Sequence, residues 1–397
     1  MMVLVPEPME AVRRLLGLRH RGRAEDLPAL LHEVAPLLQA TTARVLLVDY
    51  AQLQLFPLRG TGSAGTGSAG GGSAGGGEPV VVDGTPAGAA FTTAQVTTSD
   101  DAVWLPLLHG AERLGVLEVH TRAADVDVLE TIAALVAELI VSRRGYGDAV
   151  EHTRRREPMQ LAAEIIWSQL PPLTYAIDGT VVTAVLEPCY DVGGDSFDYA
   201  ANGDILHLGL FDTVGHGIAA SALTTLTLNT YRNARRSGLD LADTYRSIDK
   251  WIQAQYPGSF VTAILAELDT ATGQYRRISA GHPAELLLRD GRLRAGPASP
   301  TALPLGLGHM LKRGPGVTTE QLAPGDTLVL YTDGITEARD RSGALFGLDR
   351  LSSFVVEQLG LGLTAPEVMR RLIHTIVSYE QGELRDDATA AMLRWRA

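Results

Sequence analysis

The alternation of apolar and polar residues divides the chain into two parts of different character. In the first part, leucines recur at helical spacing over residues 25–40, and strand-like residues follow over 43–58. A hairpin is predicted over 103–120 around Gly110, and an amphipathic helix over 125–144. This succession predicts a small α/β domain over residues 22–145.

A glycine and serine tract interrupts the first domain at residues 59–79 and reads RGTGSAGTGSAGGGSAGGGEP. Such a composition buries nothing and predicts a flexible loop. The tract contains chance matches to GxGxxG and GxSxG, but neither lies at a strand-to-helix turn. We therefore expect no nucleotide site and no nucleophilic serine here.

The second part, residues 173–397, contains short strands paired through turn signals, with helical patterns at 218–236, 241–255 and 365–379. Antiparallel hairpins with helices set between them favour packed sheets covered by helices, an α+β fold. Residues 146–172 join the two parts as a polar connector followed by a linker helix, which Pro171 and Pro172 end.

Composition and charge exclude several classes of function. The formal net charge of −12 argues against a nucleic-acid partner. Cys189 is the only cysteine, so neither an intrachain disulfide nor a CxxC metal site is available. The longest apolar stretch, residues 132–141, is too short to span a bilayer. We expect a cytoplasmic protein without membrane contact.

Carboxylates follow or precede apolar strands at four separate points of the second part. These are Asp195, Asp212, Asp333 and the pair Asp386 and Asp387. Carboxylates beside an apolar interior are costly unless they are paired, and no arginine lies within ten residues of Asp212. Oxygen ligands without clustered histidine or cysteine favour Mg²⁺ or Mn²⁺. The pattern therefore predicts a metal site.

The motifs around these carboxylates resemble the protein phosphatase 2C-like metal-dependent phosphatases (PPM family), and within them the bacterial serine phosphatases of the SpoIIE and RsbU type. The resemblance covers residues 157–397 and rests on VGGDSFD, FDTVGHGIAA, FVTA, SAGHPAE, LYTDGITEARD and RDDAT, in the family's order. It implies an αββα sandwich of two antiparallel sheets flanked by helices. Residues 22–145 resemble a GAF domain by their layout alone. Such a domain either senses a small molecule or serves only structure and dimerisation.

The resemblance also implies the ligands of two Mn²⁺ or Mg²⁺ ions. Asp195 would bind one ion directly or through water, and Asp212 would bridge both, with the carbonyl of Thr213 as a further ligand. Asp333 and one residue of the pair Asp386 and Asp387 would complete the site. The family pattern favours Asp386, so Asp195, Asp212, Asp333 and Asp386 are the expected catalytic set.

The implied reaction is hydrolysis of a protein phosphoserine or phosphothreonine by a metal-activated water. His216 and His282 are each either a proton donor to the leaving serine or a structural residue. The implied substrate is a phosphorylated STAS-domain anti-anti-sigma factor in a partner-switching pathway, and a homodimer is expected. The alternative is a phosphoprotein-binding regulatory module with little or no turnover. A missing metal aspartate would mark that alternative, and none is missing.

Overall fold

The computed structural model describes residues 7–60, 77–122, 125–191, 193–294, 302–310, 314–382 and 384–396. It divides into two compact units, Met1–Pro158 and Met159–Ala397. Most of the predicted flexible tract, residues 61–76, lies outside the described residues. Within the described ranges, no helix has the length and apolar character needed to cross a membrane.

The first unit is a six-stranded antiparallel sheet with helices on both faces. The strands lie in the order β3-β2-β1-β6-β5-β4. Helices α1, α2 and α4 cover one face, while α3 packs on the other. The elements are α1 (Glu7–Arg21), α2 (Leu27–Val34), β1 (Ala40–Val48), β2 (Gln54–Pro57), β3 (Val80–Val81), α3 (Pro86–Thr93), β4 (Thr97–Thr98), β5 (Ala102–His109), β6 (Glu112–Thr121), α4 (Val126–Arg143) and α5 (Ala149–Arg154).

Helix α1 lies upstream of the predicted start of this domain at residue 22, yet it belongs to the core of the unit. Its residues Ala11 and Leu15 are fully buried among the apolar side chains of α2 and α4. The sequence pattern did not predict this helix, because only a narrow apolar stripe faces the core between charged residues. The GAF-like character of the unit stays a prediction.

The predicted linker, residues 146–172, is divided between the two units. Helix α5 ends in the first unit, whereas α6 (Leu161–Trp167) opens the second. Ala163 and Ile166 of α6 pack on Leu186, and Trp167 donates its indole N–H to the Cys189 carbonyl at 2.8 Å. Helix α6 is therefore an integral part of the second unit.

The second unit is a sandwich of two antiparallel sheets between two layers of helices, and it confirms the predicted αββα class. The strand orders are β15-β12-β11-β10-β9 and β14-β13-β16-β17-β8-β7. The elements after α6 are β7 (Thr174–Ile177), β8 (Thr180–Glu187), β9 (Ser196–Asn202), β10 (Ile205–Thr213), α7 (Gly217–Arg236), α8 (Leu241–Gln255), β11 (Val261–Asp269), β12 (Gln274–Ala280), β13 (Leu286–Arg289), β14 (Arg292–Arg294), β15 (Thr318–Gln321), β16 (Thr327–Tyr331), α9 (Asp333–Glu337), α10 (Gly347–Gly360), α11 (Ala365–Tyr379) and β17 (Ala388–Trp395).

Strand alternation fills three apolar layers in this unit. Leu208 and Leu210 of β10 meet Leu393 of β17 in the layer between the sheets. Met392, the neighbour of Leu393 on β17, faces the opposite way and packs under α10 and α11. Phe211 of β10 likewise faces outward, under α7 and α8. Because successive strand residues point to opposite faces, each central strand supplies two layers.

Candidate active site

Four strand ends that carry carboxylates meet at one end of the sandwich. Strand β9 begins beside the end of β10, where Ser196 pairs with Phe211, and β17 begins beside the end of β16. Asp195 directly precedes β9, and Asp212 is the second-last residue of β10. The hydroxyl of Thr332, just after β16, donates to Asp195 Oδ2 at 2.7 Å and joins the two sheets. We call this end of the sandwich, with Asp195, Asp212, Asp333 and Asp386, the acidic cleft.

The charges of these carboxylates raise one another's pKa values. Burial raises the pKa of Asp195 well above its usual range, and the charges of Asp387 and Asp212 add to the effect. Burial, then the charges of Asp333 and Asp386, raise the pKa of Asp212 to about 7. The pKa of Asp333 is also raised, first by burial and then by Asp386. The ionised forms of these three carboxylates are therefore destabilised by burial and by neighbouring charges.

No cationic side chain of the described residues forms an ion pair with a carboxylate of the cleft. Arg232 and Arg235 instead both bind Asp198, at 2.8 and 2.9 Å. Asp195 is buried, Asp212 and Asp333 are partly buried and Asp386 is exposed. A group of carboxylates without a compensating cation, and with oxygen donors only, has the chemistry of a hard divalent-cation site. As placed, however, no three acidic, His or Cys side chains of the described part are arranged to hold an ion.

Asp386 and Asp387 point to different partners, as adjacent residues of an extended segment must. Asp387 Oδ2 accepts the backbone N–H groups of Gly193, Gly194 and Asp195 at 2.9, 2.7 and 3.0 Å. The charge of Asp386 instead acts on Asp212 and Asp333. Asp387, counted among the possible metal ligands, is thus hydrogen-bonded to the loop before β9, although its charge also acts on Asp195 and Asp212. Asp386 stays the expected ligand of the pair.

The glycines beside the carboxylates are required by close approach of backbone to backbone. A side chain at Gly194 would collide with the carbonyl oxygen of Thr213, and one at Gly334 would collide with that of Asp387. These glycines let the loops lie close together, and the Thr213 carbonyl expected as a ligand faces the loop at Gly194.

Three threonine hydroxyls hold the cleft together, and sequence reasoning did not assign them. Besides the contact from Thr332, Thr224 of α7 donates to the Gly194 carbonyl at 2.8 Å. Thr262 of β11 lies 3.3 Å from Asp212 Oδ2. Two of them stood in motifs that were noted, FVTA and LYTDG. Their roles were missed because the contacts join residues far apart in the chain.

His282 is structural. It is 7% exposed. Its Nε2 lies 3.0 Å from the Tyr331 carbonyl, which fixes the proton there, and its Nδ1 lies 2.8 Å from Thr262 Oγ1. Burial lowers its pKa to about 4, so the ring is neutral and both nitrogens are engaged. A chain of contacts therefore runs from Tyr331 through His282 and Thr262 to Asp212.

The surroundings of His216 differ from those of His282. It is exposed at the position before the first turn of α7, and its side chain caps no helical N–H. The backbone at His216 lies against Gly193, which belongs to the loop whose N–H groups donate to Asp387. Of the two histidines, His216 alone is available to a bound molecule at the cleft.

Comparison with known proteins finds relatives of this chain. Residues 202–396 match the family model described as stage II sporulation protein E (SpoIIE), a range that contains Asp212, Asp333 and Asp386 but begins after Asp195. The phosphoserine phosphatase RsbU of Bacillus subtilis (strain 168) is 22% identical over 279 residues, which cover 68% of this chain and 80% of RsbU.

Two further similarities cover smaller shares of the related chains. Protein IcfG of Synechocystis is 23% identical over 244 residues, 52% of this chain and 37% of IcfG. The solved structure of the RsbU and RsbW domains of a Mycobacterium tuberculosis protein is 27% identical, with a TM-score of 0.47, and the match covers 56% of this chain and 62% of that one. The second unit of this chain therefore matches the SpoIIE family over residues 202–396, and the chain is similar to the phosphoserine phosphatase RsbU.

Proposed function

We propose that the second unit hydrolyses phosphoserine or phosphothreonine in a protein substrate and depends on two divalent ions, Mn²⁺ or Mg²⁺. The proposed ligands are Asp195, Asp212, Asp333 and Asp386. The observation that supports this most directly is the coupling of these carboxylates in the absence of an ion-pairing cation among the described residues. Divalent ions offset that charge without basic side chains.

The residues of the chain divide the work as follows. The charges of both Asp333 and Asp386 act on Asp212, which suits a ligand shared by both ions. Asp387 and Thr224 hold the Gly193–Gly194 loop so that Asp195 faces the cleft. When bound, such ions lower the pKa of water and offset charge on phosphoryl oxygens.

His216 is the residue that we propose to protonate the leaving serine oxygen. The hydrolysis forms a bond from a water oxygen to phosphorus and breaks the bond from phosphorus to the serine oxygen, which then needs a proton. His216 is exposed at the cleft, whereas the neutral ring of His282 is enclosed between two hydrogen-bond partners. His282 instead orients Thr262 beside Asp212.

For the substrate we propose a phosphorylated STAS-domain anti-anti-sigma factor. Support comes from the SpoIIE and RsbU motifs and from the similarity to a phosphoserine phosphatase. The first unit is proposed as a GAF-like sensor or dimerisation domain, with or without a small-molecule ligand. Its cytoplasmic location and its assembly as a homodimer stay predictions.

A phosphatase assay tests the proposal. The purified chain should hydrolyse a phosphoserine peptide in Mn²⁺ and lose that activity in excess chelator. Asp212→Ala should lose orders of magnitude in turnover. The matched control is Asp269→Ala, because Asp269 only accepts the N–H groups of a hairpin turn, Ala271 and Thr272, each at 3.0 Å. Peptide binding without turnover in Mn²⁺ would favour the regulatory-module alternative.

A further inference from the structure

A cavity of about 480 Å³ lies in the second unit, away from the acidic cleft. Residues 176–181, 362–366, 394 and 396 line it, so its walls are the β7–β8 hairpin, the loop between α10 and α11, and the end of β17. We call it the arginine cavity, after Arg394 and Arg396. A volume of this size falls in the range of small-molecule sites.

The arginine cavity and the acidic cleft lie at opposite ends of the same strand. Strand β17 begins just after Asp387 and ends at Trp395, so Arg394 lies seven positions after Asp387. At a rise of ~3.3 Å per residue this is about 23 Å. The partner strand agrees, since Glu187 of β8 pairs with the start of β17 and Thr180 with its end. A ligand in the cavity therefore touches no residue of the cleft.

Two arginines face this cavity without a carboxylate partner. Arg394 pairs in register with Val181, and its side chain lies on the face that α11 covers. Its Nε is buried and has no hydrogen-bond partner within the described residues. Arg396 is exposed, and its backbone N–H is anchored on the Gly179 carbonyl at 3.0 Å. Among the described residues, neither guanidinium forms an ion pair.

The electrostatics of the cavity are those of an anion site. Burial and the charge of Arg396 lower the pKa of Arg394, which shows two like charges close together. Asp178 is the one acidic residue among the lining residues, and it is exposed at the rim. Glu367, in the first turn of α11, is neutralised by Arg370 and Arg371 at 2.8 Å each. An unpaired buried guanidinium nitrogen is costly unless a ligand accepts its hydrogen.

The shape of the cavity adds two features to the charge. The N-terminus of the 15-residue helix α11 opens on it, and no side chain caps that end. A helix N-terminus attracts anions and adds to the field of the arginines. Val181, Leu363 and Pro366 add apolar surface to the lining, beside Thr180 and Thr364. A free phosphate ion would leave this apolar surface uncovered.

We propose that the arginine cavity binds a small organic phosphate, with its phosphate group on Arg394 and Arg396 and a compact apolar body against Val181 and Leu363. Guanidinium groups pair with phosphate oxygens through two parallel hydrogen bonds, which favours phosphate over other groups. This site is distinct from the acidic cleft and does not depend on the reaction proposed there.

Calorimetric titration of the full chain with phenyl phosphate in excess chelator tests the proposal. We expect one saturable site per chain, with affinity at least fivefold above that for inorganic phosphate and no binding of benzyl alcohol. Arg396→Gln, a change at an exposed side chain, should weaken phenyl phosphate binding at least tenfold, and Arg394→Gln should do the same.

Two controls locate the site. Arg292→Gln removes an exposed arginine on β14, at the other edge of the same sheet, and Asp212→Asn alters the acidic cleft. Neither should change the affinity for phenyl phosphate. Absence of saturable binding, equal affinity for inorganic phosphate, or loss of binding in Asp212→Asn but not in Arg396→Gln would each overturn the proposal. Because Arg396 is exposed, its variant remains a valid test even if Arg394→Gln fails to fold.

Discussion

Asp387 and Asp386 are adjacent, yet the structure gives them separate tasks, and single alanine substitutions should separate stability from metal binding. Asp387 accepts three backbone N–H groups of the loop at residues 193–195. Hydrogen bonds to a charged group contribute about 1.5–3 kcal/mol each, so the sum would be roughly 5–9 kcal/mol. Asp387 is only partly buried. The space that its side chain leaves is therefore open to water, which replaces some of the lost hydrogen bonds. We therefore expect Asp387→Ala to destabilise the second unit by about 2–4 kcal/mol.

Asp386→Ala is the matched control. Asp386 is exposed, and its carboxylate adds to the repulsion acting on Asp212 and Asp333. Removing it should leave the metal-free fold as stable as before, or slightly more stable, while Mn²⁺ binding weakens. Asp387→Ala should therefore lower the stability of the fold, whereas Asp386→Ala should lower the affinity for Mn²⁺.

Amide hydrogen exchange and urea unfolding, both in chelator, measure the difference. In Asp387→Ala the amides of residues 193–195 should exchange at least tenfold faster, and the urea midpoint should fall. In Asp386→Ala both should stay near the wild-type values. Unchanged protection of the loop in Asp387→Ala, or a comparable loss in both variants, would refute this division of roles.

Four further predictions concern the cleft and its surroundings. Because burial and neighbouring carboxylates raise the pKa of Asp212 to about 7, Mn²⁺ affinity measured by titration should fall below pH 7, with proton release on binding. The metal-free fold should lose stability as pH rises from about 4 to about 7, since over that range this carboxylate is protonated in the folded chain but ionised in the unfolded one. Thr262→Val should lower kcat more than it raises KM, while Thr262→Ser retains most activity; equal losses in both variants would contradict a role in orienting Asp212 through His282. Asp198→Ala should cost about 3–5 kcal/mol in urea unfolding, because it leaves Arg232 and Arg235 without their buried partner; a loss under 1 kcal/mol would contradict this.

Much of the second unit could be predicted because its signals are local. Turn residues and alternation predicted the antiparallel hairpins. The same alternation puts Asp212 on the face of β10 that carries its leucines, which fill the layer between the sheets. The division of Asp386 from Asp387 was expected in principle, since neighbours in a strand face opposite ways.

The remaining features depend on contacts between distant parts of the chain. Nothing local to Asp387 indicates that its carboxylate accepts N–H groups from residues 193–195, 192 or more positions away. The hydroxyl of Thr332 likewise reaches Asp195 across 137 positions. The enclosure of His282 could not be predicted either, because it arises from the packing of two strands that are separate in sequence.

The central claim is that Asp195, Asp212, Asp333 and Asp386 hold two divalent ions. The most direct test is an equilibrium titration of the metal-free chain with Mn²⁺, in which the electron paramagnetic resonance signal of free Mn²⁺ gives the number of ions bound. We expect two ions per chain, and no more than one in Asp212→Ala, with the Asp269→Ala control unchanged. Absence of saturable Mn²⁺ binding, or the same number of bound ions in Asp212→Ala as in the wild type, would contradict the account.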